Sequence, residues 1–275
     1  MPIINFTAHD EGIERLLSIP GKNILASCSD DSSVKLWNTT DWSLIRSYKK
    51  HTDQIWAMEY LEPDIMVSAS FDLTTQFWRI STGETMMKIN NEQPITCLRR
   101  LSKNLLAGGD FENDIYIWDL DNSTRLISKL KGEGLLIDDI VLINEKVIAT
   151  ANDDFTISFW DIFLGSLLTT FKAHSSNVNT LKLLSQNLIV SASADRSIKV
   201  WSFLSLTNVT LVNSLISHQA GIVYALDIFT SKNGKYLISG SLDETVKIWS
   251  VNVNNEISLA QTLTTELDIT ALVVI

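Results

Sequence analysis

The chain contains four histidines, and a serine, an aspartate and a tryptophan follow each of them at similar distances. Serine, histidine and aspartate are the residue types of a hydrolase triad, in which the histidine takes the proton of the serine nucleophile. A catalytic triad occurs once, however, whereas this set occurs four times. The repetition favours four copies of a structural unit over one active site. The sets are His9, Ser27, Asp31, Trp37; His51, Ser68, Asp72, Trp78; His174, Ser191, Asp195, Trp201; and His218, Ser239, Asp243, Trp249.

Other patterns for catalysis or metal binding are missing from the sequence. Cys28 and Cys97 are isolated, so they read as free buried thiols, and no histidine remains for a zinc site. The adjacent acids Asp30–Asp31 and Asp153–Asp154 fall at turns, where aspartate is favoured for its local hydrogen bonds. No phosphate-binding glycine pattern occurs. We therefore expect no enzymatic activity, no cofactor and no metal.

The elements that position these sets repeat along the chain. An eleven-residue pattern that ends in tryptophan recurs six times, at intervals of 41, 40, 42, 41 and 48 residues. Apolar residues within it alternate with polar ones, as in Val34-Lys35-Leu36, which indicates β-strands rather than helices. The six copies are SCSDDSSVKLW, SASFDLTTQFW, GGDFENDIYIW, TANDDFTISFW, SASADRSIKVW and SGSLDETVKIW.

Each repeat divides into four short strands, which we call a to d in chain order. A four-stranded sheet with two apolar faces cannot bury both alone, whereas sheets packed face to face in a ring can. The pattern therefore predicts an all-β propeller. The repeats span approximately residues 8–49, 50–90, 91–130, 131–172, 173–216 and 217–264 of a single domain.

The repeats resemble those of the WD40 β-propeller family over essentially the whole chain. Two of them end in the family's Trp-Asp pair, at Trp118-Asp119 and Trp160-Asp161, and the family's Gly-His appears as histidine without the glycine. The resemblance implies a hydrogen-bonded chain from the tryptophan indole through serine and histidine to aspartate, within each complete set. It also implies a binding face formed by the d–a and b–c loops.

The third and fourth repeats depart from this pattern. The third has Gly108 in place of the serine, Glu112 in place of the aspartate and no histidine. The fourth keeps Thr150 and Asp154, but Glu133 falls where the histidine would be. We expect these two repeats to be locally less stable. Either they have drifted without consequence or they form a specialised binding edge.

The two ends of the chain predict part of a seventh blade. Residues 1–7 read as an outer strand d, and residues 265–275 read as an inner strand a. Strands b and c of that blade are missing, which indicates a chain that is incomplete at its C-terminus or cut at a boundary. The exposed edges would favour self-association through the incomplete blade. The alternative is a six-bladed ring with extra end strands.

Composition limits the classes of partner. The net charge of −10 disfavours direct contact with nucleic acid, because an acidic chain repels phosphates. No apolar run is long enough to cross a bilayer, and no signal peptide is present, so we expect no membrane association. Two unpaired cysteines fit a reducing compartment. We expect a cytoplasmic protein, with a nuclear location left open.

By the family resemblance, certain positions of the d–a and b–c loops point toward the binding face. They contain aromatic and acidic residues but no lysine or arginine, which suits an Arg or Lys side chain of a partner and disfavours a phosphorylated one. The predicted partner-binding residues are Trp56, Phe71, Phe111, Tyr224, Leu242, Glu14, Asp30, Asp138 and Asp153.

Three functions are consistent with these features. The first is a scaffold or adaptor that binds short, basic peptide segments of other proteins. The second is a regulatory or substrate-receptor subunit of a larger enzyme complex, such as a ubiquitin ligase. The third is a propeller enzyme with a central site, which the sequence does not favour. Fold alone does not decide among them.

Overall fold

The computed structural model describes residues 6–121, 125–206, 208–216, 218 and 221–275, and its strands form six antiparallel sheets of four strands each. In every sheet the strands are adjacent in chain order, from a to d. No helix occurs among these residues, so none is long and apolar enough to cross a membrane. The all-β fold and the six four-stranded repeats are confirmed. We call each sheet a blade.

The chain divides into two compact units, Met1–Pro94 with Ile275 and Ile95–Val274. The first unit holds blades 1 and 2, and the second holds blades 3 to 6. Blade 1 is β1 Ile13–Ile19, β2 Ile24–Ser29, β3 Val34–Asn38 and β4 Leu44–Tyr48; blade 2 is β5 Ile55–Leu61, β6 Ile65–Ser70, β7 Thr74–Arg79 and β8 Thr85–Asn90.

Blades 3 to 6 have the same order of strands. Blade 3 is β9 Ile95–Arg100, β10 Leu105–Asp110, β11 Asp114–Asp119 and β12 Arg125–Lys131; blade 4 is β13 Ile137–Asn144, β14 Val147–Asn152, β15 Thr156–Asp161 and β16 Ser166–Lys172. Blade 5 is β17 Val178–Ser185, β18 Leu188–Ser193, β19 Ser197–Ser205 and β20 Asn208–Ile216; blade 6 is β21 Val223–Ser231, β22 Gly234–Ser241, β23 Thr245–Val251 and β24 Ile257–Thr264.

The core lies between neighbouring blades, because each sheet has two apolar faces. One cluster joins blades 1 and 2, with Ile55 and Met66 packed against Leu36 of the preceding blade. Three further clusters join blades 3 and 4, 4 and 5, and 5 and 6. Because a single repeat cannot bury its own two faces, packing between consecutive sheets supplies the core.

The b–c turns share one backbone device. In every blade the residue that follows the aspartate position adopts a left-handed conformation, with φ between 59° and 74°, although none of the six is glycine. The aspartate offsets this strain in blade 1, where Asp31 Oδ1 accepts the backbone N–H of Ser33 at 2.9 Å. The six left-handed residues are Ser32, Leu73, Asn113, Phe155, Arg196 and Glu244.

The ends of the chain differ from the sequence prediction. The expected strand d of a seventh blade falls largely on residues 1–5, outside the described residues. The expected strand a is wrong, because residues 265–275 form no strand and no described strand makes a ladder with them. The segment is nevertheless docked on blade 6, where the Ile269 N–H donates to the Ser241 carbonyl at 3.1 Å. The Val274 N–H donates to Asp227 Oδ2 at 2.8 Å.

Candidate functional site

The structure brings together the four His–Ser–Asp–Trp sets. In each, the histidine Nε2 lies 2.7–2.9 Å from the serine Oγ, and the histidine Nδ1 lies 2.8–2.9 Å from an aspartate oxygen. The tryptophan Nε1–H donates to the same serine oxygen at 2.9–3.4 Å. The network ties strands b and c of a blade to the loop that enters strand a.

The network leaves no accessible nucleophile. An indole can only donate, so the serine accepts that bond and donates its own proton to the histidine Nε2, and the histidine Nδ1–H donates to the aspartate. All four imidazole side chains are fully buried. Burial lowers the pKa of each histidine, although the aspartate partner acts to raise it. A neutral imidazole and a buried serine make a structural network rather than a site for substrate.

Blade 3 replaces the network by other contacts. A Cβ on Gly108 would lie 2.8 Å from Trp118 Cζ3, so the indole ring occupies the place of the missing serine side chain. Asp110, which is fully buried, caps the turn by accepting the backbone N–H groups of Glu112 and Asp114 at 2.9 and 2.8 Å. Glu112 itself is exposed. The capping acid of this blade is therefore two residues earlier than the alignment predicts.

Blade 4 uses an amide where blades 1, 2, 5 and 6 use an imidazole. Asn152 Nδ2 donates to Thr156 Oγ1 at 2.9 Å and to Ser158 Oγ at 3.1 Å. Trp160 Nε1–H still donates to Thr150 Oγ1, at 3.2 Å. Glu133, the residue that the alignment places at the histidine position, is exposed.

The loop positions predicted for binding are fixed by the backbone. In five blades, the residue before the aspartate position donates its N–H to the carbonyl of the d–a loop, at 2.9–3.1 Å. This bond holds the two predicted loop positions of a blade next to each other. The donor and acceptor pairs are Asp30 and Gly12, Phe71 and Gln54, Asp153 and Leu136, Ala194 and Asn177, and Leu242 and Ile222.

Four predicted binding residues meet in the first unit, and we call them the acidic–aromatic site: Glu14, Asp30, Trp56 and Phe71. The rings of Trp56 and Phe71 pack at a tilt, with centroids 4.5 Å apart. Glu14 Oε1 and Asp30 Oδ2 lie 3.7 and 3.3 Å from the position of a Cβ on Gly12. The indole of Trp56 also interacts with the Asp30 carboxylate. Blade 1 thus supplies the acids, and blade 2 supplies the rings.

The negative charge of the acidic–aromatic site is poorly balanced. Burial raises the pKa of Asp30, and repulsion from Glu11, Asp31 and Asp53 raises it further, against the opposing effect of the Trp56 indole. Burial and repulsion from Asp30 raise the pKa of Glu14, although Arg15 opposes this. Ionised Asp30 and Glu14 are therefore costly to the folded chain, and a cation from a partner would relieve that cost.

The remaining predicted residues lie on blades 3, 4 and 6. Phe111 and Tyr224 are exposed, and Asp138 and Leu242 are half-buried. Asp153 is used locally, because its Oδ1 accepts the backbone N–H of Leu136 at 3.0 Å. The acidic–aromatic site is therefore the best-defined candidate for binding.

Sequence reasoning missed the residues that link neighbouring blades. Asp139 of β13 accepts the Arg99 guanidinium of β9 at 3.2 Å, and its other oxygen accepts the Leu181 N–H of β17 at 3.0 Å. The repeat pattern carried no signal for it, because the contact joins different blades. Glu11 and Asp53 were also missed, although both stand in the acidic d–a loops.

Other chemistry has little support in the described residues. No group of three or more His, Cys, Asp or Glu side chains in this part of the chain could hold a metal ion. Cys28 and Cys97 are buried and free, and burial raises the pKa of the Cys28 thiol to about 12. A thiol with so high a pKa is a poor nucleophile.

Sheets of four strands, tied by a Trp–Ser–His–Asp network, define a propeller repeat protein. The sequence matches the family model described as "WD domain, G-beta repeat" over residues 1–38, 165–202 and 209–250. The chain is a WD40-repeat protein, as its sequence predicted.

Several proteins are similar to the chain in sequence. It is 24% identical to E3 ubiquitin-protein ligase COP1 of Pisum sativum, over 59% of this chain and 25% of that protein. It is 26% identical to the U3 small nucleolar RNA-associated protein 15 homolog of Xenopus tropicalis, over 67% of this chain and 36% of that protein. It is 27% identical to the p21-activated protein kinase-interacting protein 1-like of Gallus gallus, over 73% of this chain and 54% of that protein. The chain thus spans from about a quarter to about half of these relatives.

Proposed function

We propose that the chain is a protein-interaction scaffold or adaptor, and that its acidic–aromatic site binds a short segment through an Arg or Lys side chain. The observation that carries this proposal is the pair of partly buried carboxylates, Glu14 and Asp30, beside the packed rings of Trp56 and Phe71. A cation would pair with the carboxylates and lie against an aromatic face. The chain acts in this view by binding and not by catalysis.

The proposal can be tested with a library of random peptides displayed on phage. Selection on the folded wild-type chain should enrich peptides with Arg or Lys at one position. The Trp56→Ala/Phe71→Ala double variant should lose this enrichment, whereas Phe163→Ala, which removes a well-exposed ring from the β15–β16 turn of blade 4, should keep it. Enrichment without Arg or Lys, or enrichment that survives in the double variant, would contradict the proposal.

A second candidate is a substrate-receptor part of a larger enzyme complex. Its support is the similarity to two plant proteins named E3 ubiquitin-protein ligase COP1. In this case the same site would hold the substrate, and other chains would supply catalysis. Co-purification of a ubiquitin-ligase subunit with the tagged chain would favour this candidate. Purification of the chain with its peptide partner alone would favour a simple adaptor.

Two further predictions from the sequence belong to this proposal. Residence in the cytoplasm is one, and it can be checked by imaging the tagged chain. Self-association through the chain ends is the other. In the single chain, Ile269 and Val274 are hydrogen-bonded to blade 6, and a change of oligomeric state on removing residues 265–275 would test this prediction.

A further inference from the structure

A long segment of blades 5 and 6 carries no charged side chain. No Asp, Glu, Lys or Arg occurs in the 27 residues from Val200 to Leu226, although charged residues make up 20% of the chain. The segment contains the end of β19, all of β20 and the start of β21. Within a chain of net charge −10, this is the longest neutral stretch.

The neutral segment includes an outer edge of a sheet. β20 is the last strand of blade 5, and β19 is the only strand of the described residues that pairs with it. Edge strands commonly carry charged residues that prevent pairing with another chain. In this protein β4 has Arg46, β8 has Lys88 and β16 has Lys172, whereas β20 has none.

Two aliphatic side chains stand out from this edge. A bulge in the ladder pairs Trp201 with Leu211 and Val200 with Asn213, and leaves Val212 as the extra residue. Leu211 is 50% exposed and Val212 is 53% exposed. The exposure is not a sign of a loose strand, because the flanking Val209 packs against the core cluster between blades 4 and 5.

The turn before this strand and the groove beside it are lined by apolar and amide side chains. Leu204, in the turn between β19 and β20, is 82% exposed. A groove beside the turn is lined by Phe203 and Leu206 and by the amide side chains of Asn144, Gln186 and Asn187. The apolar pair therefore stands on a neutral strip formed by the segment from Val200 to Leu226, although Glu145 and Lys146 directly follow the groove residue Asn144.

We propose that the β20 edge is a self-association surface, on which the Leu211–Val212 pair of a second copy of this chain packs about a twofold axis. Two copies of net charge −10 repel each other, so they can approach most easily through their neutral strips. A twofold contact places the same patch on both sides, and this patch is apolar and uncharged. The occupant that matches it is thus the patch itself.

Another strand comes close to meeting the same conditions. β24 also has no charged residue. Its bulge, however, places the small Ala260 next to Leu259, and Glu256 directly precedes the strand. β20 offers two large aliphatic side chains and no adjacent charge, so it is the edge that favours the contact.

Sedimentation velocity on the purified chain, from about 5 to about 200 µM, tests the proposal, since a contact of this small size should be weak. The dimer fraction should rise with protein concentration. It should also rise between about 50 and about 500 mM salt, because salt screens the repulsion between the two acidic bodies. Peptide binding at the acidic–aromatic site should weaken with salt, so the two activities can be told apart.

Matched variants locate the contact. Leu211→Lys should raise the dimer dissociation constant at least about tenfold, because it places an unpaired charge in the contact. Leu44→Lys is the control, because Leu44 is also 50% exposed and pairs with Trp37 at the same bulge of β4. Val212→Lys serves as a second variant if Leu211→Lys lowers the melting temperature.

The outcomes separate clearly. Dimerisation that is lost in the β20 variants and kept in Leu44→Lys supports the proposal. A chain that stays monomeric over the whole range overturns it, as does a dimer that the β20 variants leave intact or that Leu44→Lys weakens equally. A chain that binds only a foreign strand at this edge would stay monomeric, and the proposal would fail.

Discussion

Glu14 and Asp30 place their carboxylates at the same point of blade 1, with Oε1 and Oδ2 only 3.7 and 3.3 Å from the position of a Cβ on Gly12. Burial raises the pKa of both groups, and repulsion from Asp30 raises that of Glu14 further. Binding sites often keep such costly arrangements because a ligand relieves them. The account of this chain as a binding protein depends on that relationship.

Asp30→Asn should stabilise the folded chain and weaken the binding of a basic peptide. The raised pKa of Asp30 means that its ionised form costs the folded state free energy at neutral pH, so the neutral amide should raise the melting temperature. Glu145→Gln, which removes an exposed acid from a turn of blade 4, is the control and should change little. A lower melting temperature for Asp30→Asn would show that the carboxylate is a structural group.

Asp72→Ala and Asp195→Ala should each destabilise the chain by about 1–3 kcal/mol, because each leaves a buried histidine without its acceptor. The free energy of unfolding in urea measures this effect. Glu112→Ala is a matched control, since Glu112 holds the same aligned position in blade 3 but is exposed. Its change should stay within roughly 0.5 kcal/mol, as for an ordinary surface substitution. Equal effects of all three variants would contradict the structural role of the network.

Trp56→Ala should mainly reduce peptide capture, whereas Trp78→Ala should mainly reduce the stability of the fold. Trp56 is half-buried and packs on Phe71, so its loss should cost no more than about 1.5 kcal/mol of stability and should reduce peptide capture. Trp78 is fully buried, and its truncation should cost about 3–5 kcal/mol. A large stability loss for Trp56→Ala would move this residue from the binding surface to the core.

Stability should fall as the pH drops below about 6.5. Burial lowers the pKa of all four histidines from 6.5, so the unfolded chain binds more protons than the folded chain in this range. Their contribution is complete above pH 6.5 and is lost as the pH falls through the folded values. A second loss should follow between 3.8 and about 2, because hydrogen bonds from Ser33 and His9 outweigh burial and hold the pKa of Asp31 at about 2.

The free energy of unfolding in urea, measured from about pH 7.5 to about pH 5.5, tests whether stability falls on acidification. Glu14 and Asp30 act in the opposite direction, because their pKa values are raised. The series should therefore be repeated on Asp30→Asn, where the histidine effect is clearer. A free energy of unfolding that rises on acidification in this variant would contradict the buried neutral histidines.

Blades 3 and 4 should open first. Blade 3 has no imidazole network, and blade 4 substitutes Asn152, whose buried Oδ1 accepts no hydrogen bond from the described residues. Amide hydrogen exchange should therefore be faster in β10 and β14 than in the matching strands β6 and β18. Equal protection in all four strands would show that the replacements stabilise as well as the histidine network does.

The repeat pattern predicted much of this structure, because strands b and c and the turn between them are local features. The six sheets follow from a short repeated motif in the sequence, and the pairing of His9 with Asp31 follows from the resemblance of that motif to the WD40 family. The role of Asn152 could not be predicted in this way. Asn152 occupies the position of Ser29 in blade 1, and its amide can replace the imidazole only because blade 4 has also lost the histidine. The Arg99–Asp139 pair joins separate blades, so no spacing within one repeat predicts it. The C-terminal strand was wrong because an apolar alternating segment becomes a strand only beside a partner strand.

The most direct test of the central claim is a double-mutant cycle between Asp30 and the basic residue of a selected peptide. Fluorescence anisotropy would give the affinity of wild type and Asp30→Asn for the Arg or Lys peptide and for its Ala form. We expect a coupling free energy of at least about 1.4 kcal/mol, which is a tenfold loss of affinity that appears only when both groups are present. Additive losses, with no coupling, would show that the acidic–aromatic site does not contact the basic side chain, and the proposed function would be wrong.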